Sequence, residues 1–299
     1  MTTTAHPAWT TTAGPAGCGS PLGDTAARLS RLTGDHPHVY AVDLADTSVA
    51  GWTPLSAVVP VLAGQAAVTA PGAAAPVRVA GALAHAVAGR MTAALVVDRR
   101  SPVLEPAATV VRPDGAGHLE RVAVTSPAIA LLAGDPAADH PDALALPDEE
   151  SLLRWAAGTI VGTLSPLFTE LRAVTRFGIV PMWNMVGDSV LSMATWIPFL
   201  AGSDQGAGRA LGDRLVDALV REGAPVRRRG RTLCLTRTRS TFVASVDAAC
   251  CMHYRTCPEV PRVDAYCVSC PHLSDEDRRG RYLAYLDEHH PEPAAPEPT

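Results

Sequence analysis

Cysteine is scarce along most of this 299-residue chain but dense near its C-terminal end. Five of the seven cysteines lie between residues 250 and 270, and the other two, Cys18 and Cys234, stand alone. Thiols clustered this tightly most often bind a metal ion or a metal cluster. In a reducing compartment they are also more often metal ligands than disulfides. The spacing therefore predicts a thiolate metal site.

The order of the cysteines bears on which metal they bind. Soft thiolates suit both zinc and iron–sulfur clusters, and a C-x2-C pair such as Cys267 and Cys270 occurs in both. Zinc sites usually combine two C-x2–4-C pairs, whereas Cys250 and Cys251 are directly adjacent. Neighbouring side chains point apart, which suits a cluster of two irons better than one ion. The spacing favours an iron–sulfur cluster, with zinc and no metal as the alternatives.

The cysteines and their neighbours resemble the C-C-x(n)-C-x2-C signature of the FhuF-like ferric-siderophore reductases. In that family the adjacent cysteines are typically followed by an aliphatic residue, an aromatic residue and an arginine, and Tyr254 and Arg255 match the last two. Trp183 and Asn184 are weakly similar to a helix of the family that contains Trp and Asn. The resemblance covers roughly residues 180–272. It implies a [2Fe–2S] cluster held by Cys250, Cys251, Cys267 and Cys270.

The segment between Cys251 and Cys267 departs from the family pattern. It is 15 residues long, which is longer than is common in the family, and it contains a further thiol, Cys257, followed by Pro258. Because the outer four cysteines match the signature, we expect Cys257 to be a spare thiol. We expect His253, which adjoins the ligands, to be a hydrogen-bond partner or an exposed side chain rather than a ligand.

The resemblance implies a cytoplasmic enzyme that reduces Fe(III) in a hydroxamate or catecholate siderophore and so releases Fe(II). No nucleotide or flavin motif is present, since the Gly206–Gly212 stretch reads G-x-G-x3-G and no strand precedes it. The electrons would come from an external donor such as a ferredoxin or a flavin reductase. Two alternatives are an iron–sulfur redox sensor or electron carrier, and a zinc-stapled binding protein without redox activity.

Arginines are concentrated just before the cysteines. Seven occur in a short stretch: Arg221, Arg227, Arg228, Arg229, Arg231, Arg237 and Arg239. They predict either a solvated hairpin or a basic surface that attracts an acidic electron donor or an anionic chelate. We expect Arg239, Tyr254 and Arg255 to form the substrate face. Binding of nucleic acid is not expected, because the aromatic or groove-reading context is missing.

The overall composition is that of a soluble globular protein, with 47% hydrophobic and 18% charged residues and a formal net charge of −5. No signal peptide is recognisable at residues 1–21. No membrane span is expected, because prolines interrupt the longest uncharged stretch, residues 47–77. The absence of lysine and the abundance of Ala, Pro, Gly and Val are typical of a GC-rich genome, as in actinobacteria.

The elements that must position the cysteines predict an α+β fold. It consists of an N-terminal mixed α/β part, a central helical bundle and C-terminal strands that lead into the cysteine segment. The domain prediction has disordered tails at 1–20 and 290–299, an α+β subdomain at 21–145 and a helical subdomain at 146–289 that carries the cluster segment 250–270.

Several elements are predicted individually. Helices are expected at 24–32, 77–97, 147–174, 182–198, 206–222 and 275–289, and strands at 39–42, 107–111, 119–124, 231–239 and 241–246. Residues 134–147 read as a loop or linker. His85 reads as a core histidine of its helix.

Overall fold

The chain adopts an α+β fold, as the sequence predicts. A computed structural model describes residues 19–34, 40–46, 50–70 and 72–292. The predicted tails therefore lie mostly outside the described residues, as does Val39 of the predicted strand at 39–42. The part of that strand that is described, Ala41 and Val42, precedes the short strand that is observed at Asp43–Leu44.

The N-terminal part combines buried helices with two small sheets. Its helices are α1 (Pro21–Thr33), α2 (Val58–Thr69), α3 (Ala74–Ala84) and α4 (Arg90–Asp98). A 3₁₀ turn (Leu55–Ala57) precedes α2, and a π-helical turn (His85–Gly89) joins α3 to α4. Its strands are β1 (Asp43–Leu44), β2 (Thr53–Pro54), β3 (Arg100–Pro102), β4 (Thr109–Pro113), β5 (Leu119–Val124), β6 (Ile129–Leu132) and β7 (Ala143–Leu146).

The strands form one sheet in the order β1-β5-β4-β2 and a second in the order β3-β6-β7. The predicted hairpin is present, with β4 antiparallel to β5 and its turn at residues 114–118. The prediction that residues 134–147 form a loop is wrong for the C-terminal part of that segment. Ala143–Leu146 is a strand that pairs in parallel with Ile129–Leu132. Leu144 and Leu146 of this strand pack against the main core, which explains why it forms despite its Pro- and Asp-rich surroundings.

Three long helices follow, α5 (Glu149–Thr175), α6 (Ile179–Leu200) and α7 (Gln205–Arg221). The Asp148 carboxylate caps α5 by accepting a hydrogen bond of 2.8 Å from the Ser151 N–H. Pro166 lies inside α5 without ending it. These helices pack on α3 and α4, and one hydrophobic core extends from Leu22 to Ala224. The predicted division at residue 145 therefore falls within a shared core.

The helix formed by α3, the π turn and α4, Ala74–Asp98, is the one helix among the described residues that is long and apolar enough to cross a membrane. In the structure, 78% of its most apolar window is buried inside the protein. This helix is therefore part of the buried core.

The C-terminal part is an antiparallel hairpin of β8 (Arg231–Thr236) and β9 (Thr241–Val246), with a final helix α8 (Asp275–His289) packed on it. Arg231 pairs with Val246 at the base of the hairpin, next to the cysteine segment. Tyr282 and Leu286 of α8 join Leu235 and Phe242 in a small separate core. All three predicted elements are confirmed.

The glycines of the Gly206–Gly212 stretch have a packing role. A Cβ atom on Gly208 would lie 2.2 Å from the Ala194 carbonyl oxygen, and one on Gly212 would lie 2.6 Å from the Ala194 Cβ. Both positions face α6, so glycine lets α6 and α7 approach closely. This contact accounts for a motif that does not belong to a dinucleotide site.

We expect Gly208→Ala to destabilise the fold by about 1–3 kcal/mol, because the added methyl must push α7 away from α6. Urea unfolding measures the change. Gly162→Ala is the matched control, since a Cβ at that helical position meets nothing within 4 Å, and it should stabilise slightly. Equal stability of the two variants would contradict the close approach of α6 and α7.

Candidate metal centre and adjoining cavity

Four of the five clustered cysteines form two pairs. The Sγ atoms of Cys251 and Cys267 lie 3.6 Å apart. Cys270 lies beside Cys250 closely enough for its thiol to affect the ionisation of Cys250. Two thiolates bound to one tetrahedral metal ion at about 2.3 Å lie about 3.8 Å apart, so the spacing of Cys251 and Cys267 fits two ligands of one metal. The adjacent cysteines thus belong to different pairs.

The two pairs also adjoin each other, since the Cys270 thiol acts on Cys267 and the Cys251 thiol acts on Cys250. Within the four described ranges, no three His, Cys, Asp or Glu side chains are arranged to hold one metal ion together. The described cysteines are all free thiols. Cys257 is apart from both pairs, and its nearest polar neighbours are Thr256 Oγ1 at 3.8 Å and His253 Nε2 at 3.9 Å.

The ionisation of the thiols reflects their pairing and burial. The Cys251 and Cys267 thiols share one hydrogen bond, so one proton held between them lowers the pKa of Cys251 and raises that of Cys267. Burial raises the pKa of Cys250, and the hydrogen bond from the Met252 N–H, 3.4 Å from the Cys250 Sγ, opposes that rise. Such N–H contacts to sulfur are a means of tuning a bound cluster.

A buried carboxylate on α6 fixes the backbone that enters the cysteine segment. Asp188 accepts hydrogen bonds from the N–H groups of Ala248 at 2.9 Å and Ala249 at 2.7 Å. Gly230, just before β8, also lies beside the Asp188 carboxylate. A Cβ on Gly230 would lie 3.0 Å from Asp188 Oδ1 and 2.7 Å from the Val246 carbonyl oxygen, so glycine permits this approach.

A second carboxylate links the two cysteine segments. Asp247 accepts a hydrogen bond of 2.6 Å from the Ser269 hydroxyl, and its own N–H donates to the Ser269 carbonyl oxygen at 2.9 Å. Ser269 lies within the C-x2-C turn, whereas Asp247 directly follows β9. This double link places Cys267 and Cys270 opposite Cys250 and Cys251.

Helix α8 holds the far side of the C-x2-C turn. The Arg278 guanidinium, which is fully buried, donates to the carbonyl oxygens of Cys270 at 2.6 Å and Leu273 at 2.8 Å. The Tyr282 hydroxyl donates to the Ser245 carbonyl oxygen at 3.0 Å on β9. Helix α8, which the sequence predicts only as a helix, therefore holds the C-x2-C turn in place.

A two-lobed cavity opens beside the Cys251–Cys267 pair. The larger lobe has a volume of about 330 Å³ and the smaller about 180 Å³, and both are lined by Gly81, His85, Met185 and Cys251. The larger lobe is mostly apolar, with Arg78, His118 and His253 as its polar walls. The smaller lobe is polar and includes Asp188, Asp247 and Ser269. Such a volume suits a small-molecule ligand.

The N-terminal half supplies much of this cavity. Gly81 and His85 come from α3 and the π turn, and His118 comes from the β4–β5 hairpin. The prediction that His85 is a core histidine is incomplete, because the half-buried ring also lines the cavity, with Tyr40 at an edge-to-face distance of 6.4 Å. π-helical turns such as the one that carries His85 occur frequently at functional sites. The Ala-rich helical pattern of the sequence does not predict this turn.

The residues predicted to contact substrate are not brought together. Arg239 lies in the turn of the β8–β9 hairpin, at the opposite end of β9 from Asp247. Six strand residues span about 20 Å at about 3.3 Å each, which separates Arg239 from the cysteines. Tyr254 and Arg255 adjoin the cysteine pairs, but they are absent from the walls of both lobes.

The arginine-rich stretch does not form a continuous basic surface. Four of its members pair with carboxylates: Arg221 with Glu150, Arg229 with Asp217, Arg231 with Asp275 and Arg237 with Asp287. The side chain of Asn184, on α6, accepts hydrogen bonds from the N–H groups of Arg227 and Arg228 at 2.9 and 3.1 Å. Asn184 thus positions the segment before β8.

Comparison with known protein families, with curated proteins and with solved structures finds no match to this chain. The chemistry of the site must therefore be argued from its own residues.

The ionisation of Asp188 predicts a pH dependence of stability. Burial, reinforced by the nearby Asp247, raises the pKa of Asp188 from 3.8 to about 7. The folded state then binds the proton more tightly than the unfolded state, so this group favours folding most below pH 4 and loses that contribution as the pH rises through 7.

We expect Asp188→Asn to flatten the fall in stability between about pH 4 and 7, as measured by urea unfolding across that range. The exposed Asp139→Asn is the control, and an unchanged slope in Asp188→Asn would contradict the assignment.

Proposed function

We propose that this protein is a ferric-siderophore reductase of the FhuF-like type, in which Cys250, Cys251, Cys267 and Cys270 hold a [2Fe–2S] cluster. The observation that carries the proposal is the cavity wall itself. Two cysteines of one close pair, Cys251 and Cys267, line a ligand-sized cavity. A ligand in that cavity would lie directly against the thiolates that hold the cluster.

The arrangement of the sulfurs fits the proposed cluster. A [2Fe–2S] cluster is held by four cysteines, two on each iron, and the structure brings Cys251 to Cys267 and Cys270 to Cys250. A zinc site of four cysteines needs all four sulfurs around one ion. The pairing is compatible with two irons, and metal analysis of the purified protein distinguishes an iron–sulfur cluster from zinc.

When bound, such a cluster supplies one electron at a time, which converts Fe(III) held by hard siderophore oxygens into the more labile Fe(II). The residues of the chain would bind the chelate and position the cysteine segment. The lobe walls at Gly81, Met185 and Leu119 give an apolar seat for the chelate, and Arg78, His118 and His253 give it polar contacts. Asp188, Asp247 and Arg278 fix the cysteine segment against that seat.

An electron carrier or sensor is the runner-up, and the cavity argues against it. A carrier needs a surface where its partner can approach, whereas the cavity here is formed jointly by the N-terminal half and the cysteine segment. A carrier does not need such a cavity. We place the reductase in the cytoplasm, where the thiols stay reduced.

The four ligand assignments are tested by single Cys→Ser variants. We expect Cys250→Ser, Cys251→Ser, Cys267→Ser and Cys270→Ser each to lose or degrade the cluster, because each removes one of its four ligands. Iron, sulfide and zinc analysis and the visible spectrum of anaerobically purified protein measure the loss. Cys257→Ser and Cys234→Ser are the controls and should keep the wild-type spectrum. Loss of the chromophore in Cys257→Ser with its retention in one of the four would contradict the assignment.

The cavity is tested by filling it. A side chain at Gly81 projects towards the flexible end of Met185, with 3.0 Å from the new Cβ to the Met185 Cε atom, so Gly81→Leu should occupy cavity space without disrupting the helix. We expect Gly81→Leu to weaken binding of a gallium(III) siderophore complex, which is redox-inert, and to slow Fe(II) release to a ferrous trap. The iron and sulfide content should not change.

Gly64→Leu is the matched control for this variant, because a Cβ at exposed Gly64 meets nothing within 4 Å. It should bind the gallium complexes like the wild type. If the reduced wild-type protein releases no Fe(II) from any hydroxamate or catecholate complex, the reductase proposal fails and the carrier is favoured.

A further inference from the structure

The segment between Cys251 and Cys267 has two different faces. Its 3₁₀ turn, His253–Arg255, is followed by Thr256. In a 3₁₀ helix the side chains of residues i and i+3 lie on the same side, and His253 and Thr256 both line the larger lobe of the cavity. The intervening residues, Tyr254 and Arg255, are therefore directed elsewhere. The inner face of the segment lines the cavity, and the outer face, with Tyr254 and Arg255, does not.

The outer face carries a compact group of arginines and tyrosines. The Arg262 guanidinium lies 4.5 Å from the centre of the Tyr254 ring, and the Arg255 guanidinium lies 5.9 Å from it. Tyr254 in turn packs edge-to-face on Tyr266 at 5.5 Å. Tyr266 directly precedes Cys267. We call Tyr254, Arg255, Arg262 and Tyr266 the outer patch.

The positive charges of the outer patch are available to a partner. Arg255 and Arg262 are exposed, and in the part of the chain that the structure describes neither guanidinium forms an ion pair with a carboxylate. The acidic residues of the same segment, Glu259 and Asp264, are exposed but do not pair with them. This contrasts with the arginine-rich stretch before β8, where four guanidinium groups are already neutralised.

The patch is also apolar and held in place. Val260 and Val263, in the same loop as the outer patch, are exposed by 38% and 49%. The Arg281 guanidinium of α8 donates to the carbonyl oxygens of Val263 at 2.8 Å and Tyr266 at 2.7 Å, so the loop is anchored rather than free. Tyrosine and arginine are enriched at protein interfaces, and exposed apolar side chains beside them favour docking of a protein over binding of a small ion.

We propose that the outer patch docks an acidic protein that donates electrons to the site. The inference rests on the proposed function, because it assumes a cysteine-held redox centre that must be re-reduced. The partner loses one electron for each electron that the centre gains. Arg255 and Arg262 would steer an acidic face towards Tyr266 and Cys267, while the substrate occupies the cavity on the other face of the same segment. Docking and substrate binding would therefore not compete.

The test measures binding without electron transfer. The purified protein is titrated with an oxidised [2Fe–2S] ferredoxin that has an acidic surface, and the Kd is measured calorimetrically at low and at high salt. We expect Arg255→Glu/Arg262→Glu to raise the Kd about tenfold or more and to remove most of its salt dependence. The control is Arg31→Glu/Arg154→Glu, which makes the same charge change at two exposed arginines on α1 and α5. It should leave the Kd unchanged.

Further measurements separate the two proposals. Both double variants should keep the wild-type iron content and the wild-type affinity for a gallium(III) siderophore, since neither alters the cavity. If the wild type binds no ferredoxin, or if the Arg255→Glu/Arg262→Glu variant binds it as tightly as the control, the docking inference is overturned. Rapid reduction of the protein by reduced FMN, equally fast in both double variants, together with absent ferredoxin binding, would favour a small reductant. Failure of Fe(II) release with ferredoxin binding intact would overturn the reductase proposal alone.

Discussion

The geometry of the site depends on one buried carboxylate. Asp188 accepts hydrogen bonds from the N–H groups of Ala248 and Ala249, just after β9, and lies against Gly230, just before β8. It thereby ties both ends of the C-terminal hairpin to α6, which lies in the main core. Burying a carboxylate in this way is costly, and the backbone donors offset only part of that cost, since burial still raises the pKa of Asp188 to about 7. Without this anchor, neither cysteine pair has a fixed position relative to the cavity.

The cavity explains why the chain needs its N-terminal half. The cysteine segment and α8 alone could hold a metal, but they would leave it open to solvent. The helix with the π turn and the β4–β5 hairpin close the site with Gly81, His85 and His118. The shared core from Leu22 to Ala224 makes this closure rigid. The cavity and the cysteine segment are therefore built by distant parts of the sequence that one core holds together.

The local elements could largely be predicted from the sequence, because their signals are local. The Thr- and Val-rich strands, the carboxylates that begin α5 and the acidic first turn of α8 all lie within the elements that they predict. The cysteine spacing likewise identified the candidate metal site without any structure. Strand β7 could not be predicted from its own residues, because its pairing with β6 keeps it extended.

The positioning residues of the site could not be predicted, because their contacts are distant in sequence. Asp188 is 60 residues from Ala248, and nothing near Asp188 marks it as an anchor. Arg239 shows the converse, because it is near the cysteines in sequence but a full strand separates it from them in space. Tyr254 and Arg255 were correctly associated with the cysteine segment, but only the structure shows that they face away from the cavity.

We propose that the four paired cysteines hold two irons beside a substrate cavity. X-ray absorption of the anaerobically purified protein at the iron and zinc edges tests it most directly. The account predicts iron in a sulfur-only first shell with a second iron at short distance, and loss of that iron–iron signal in Cys267→Ser but not in Cys257→Ser. A single zinc ion surrounded by four sulfurs, with no iron in stoichiometric amount, would contradict it.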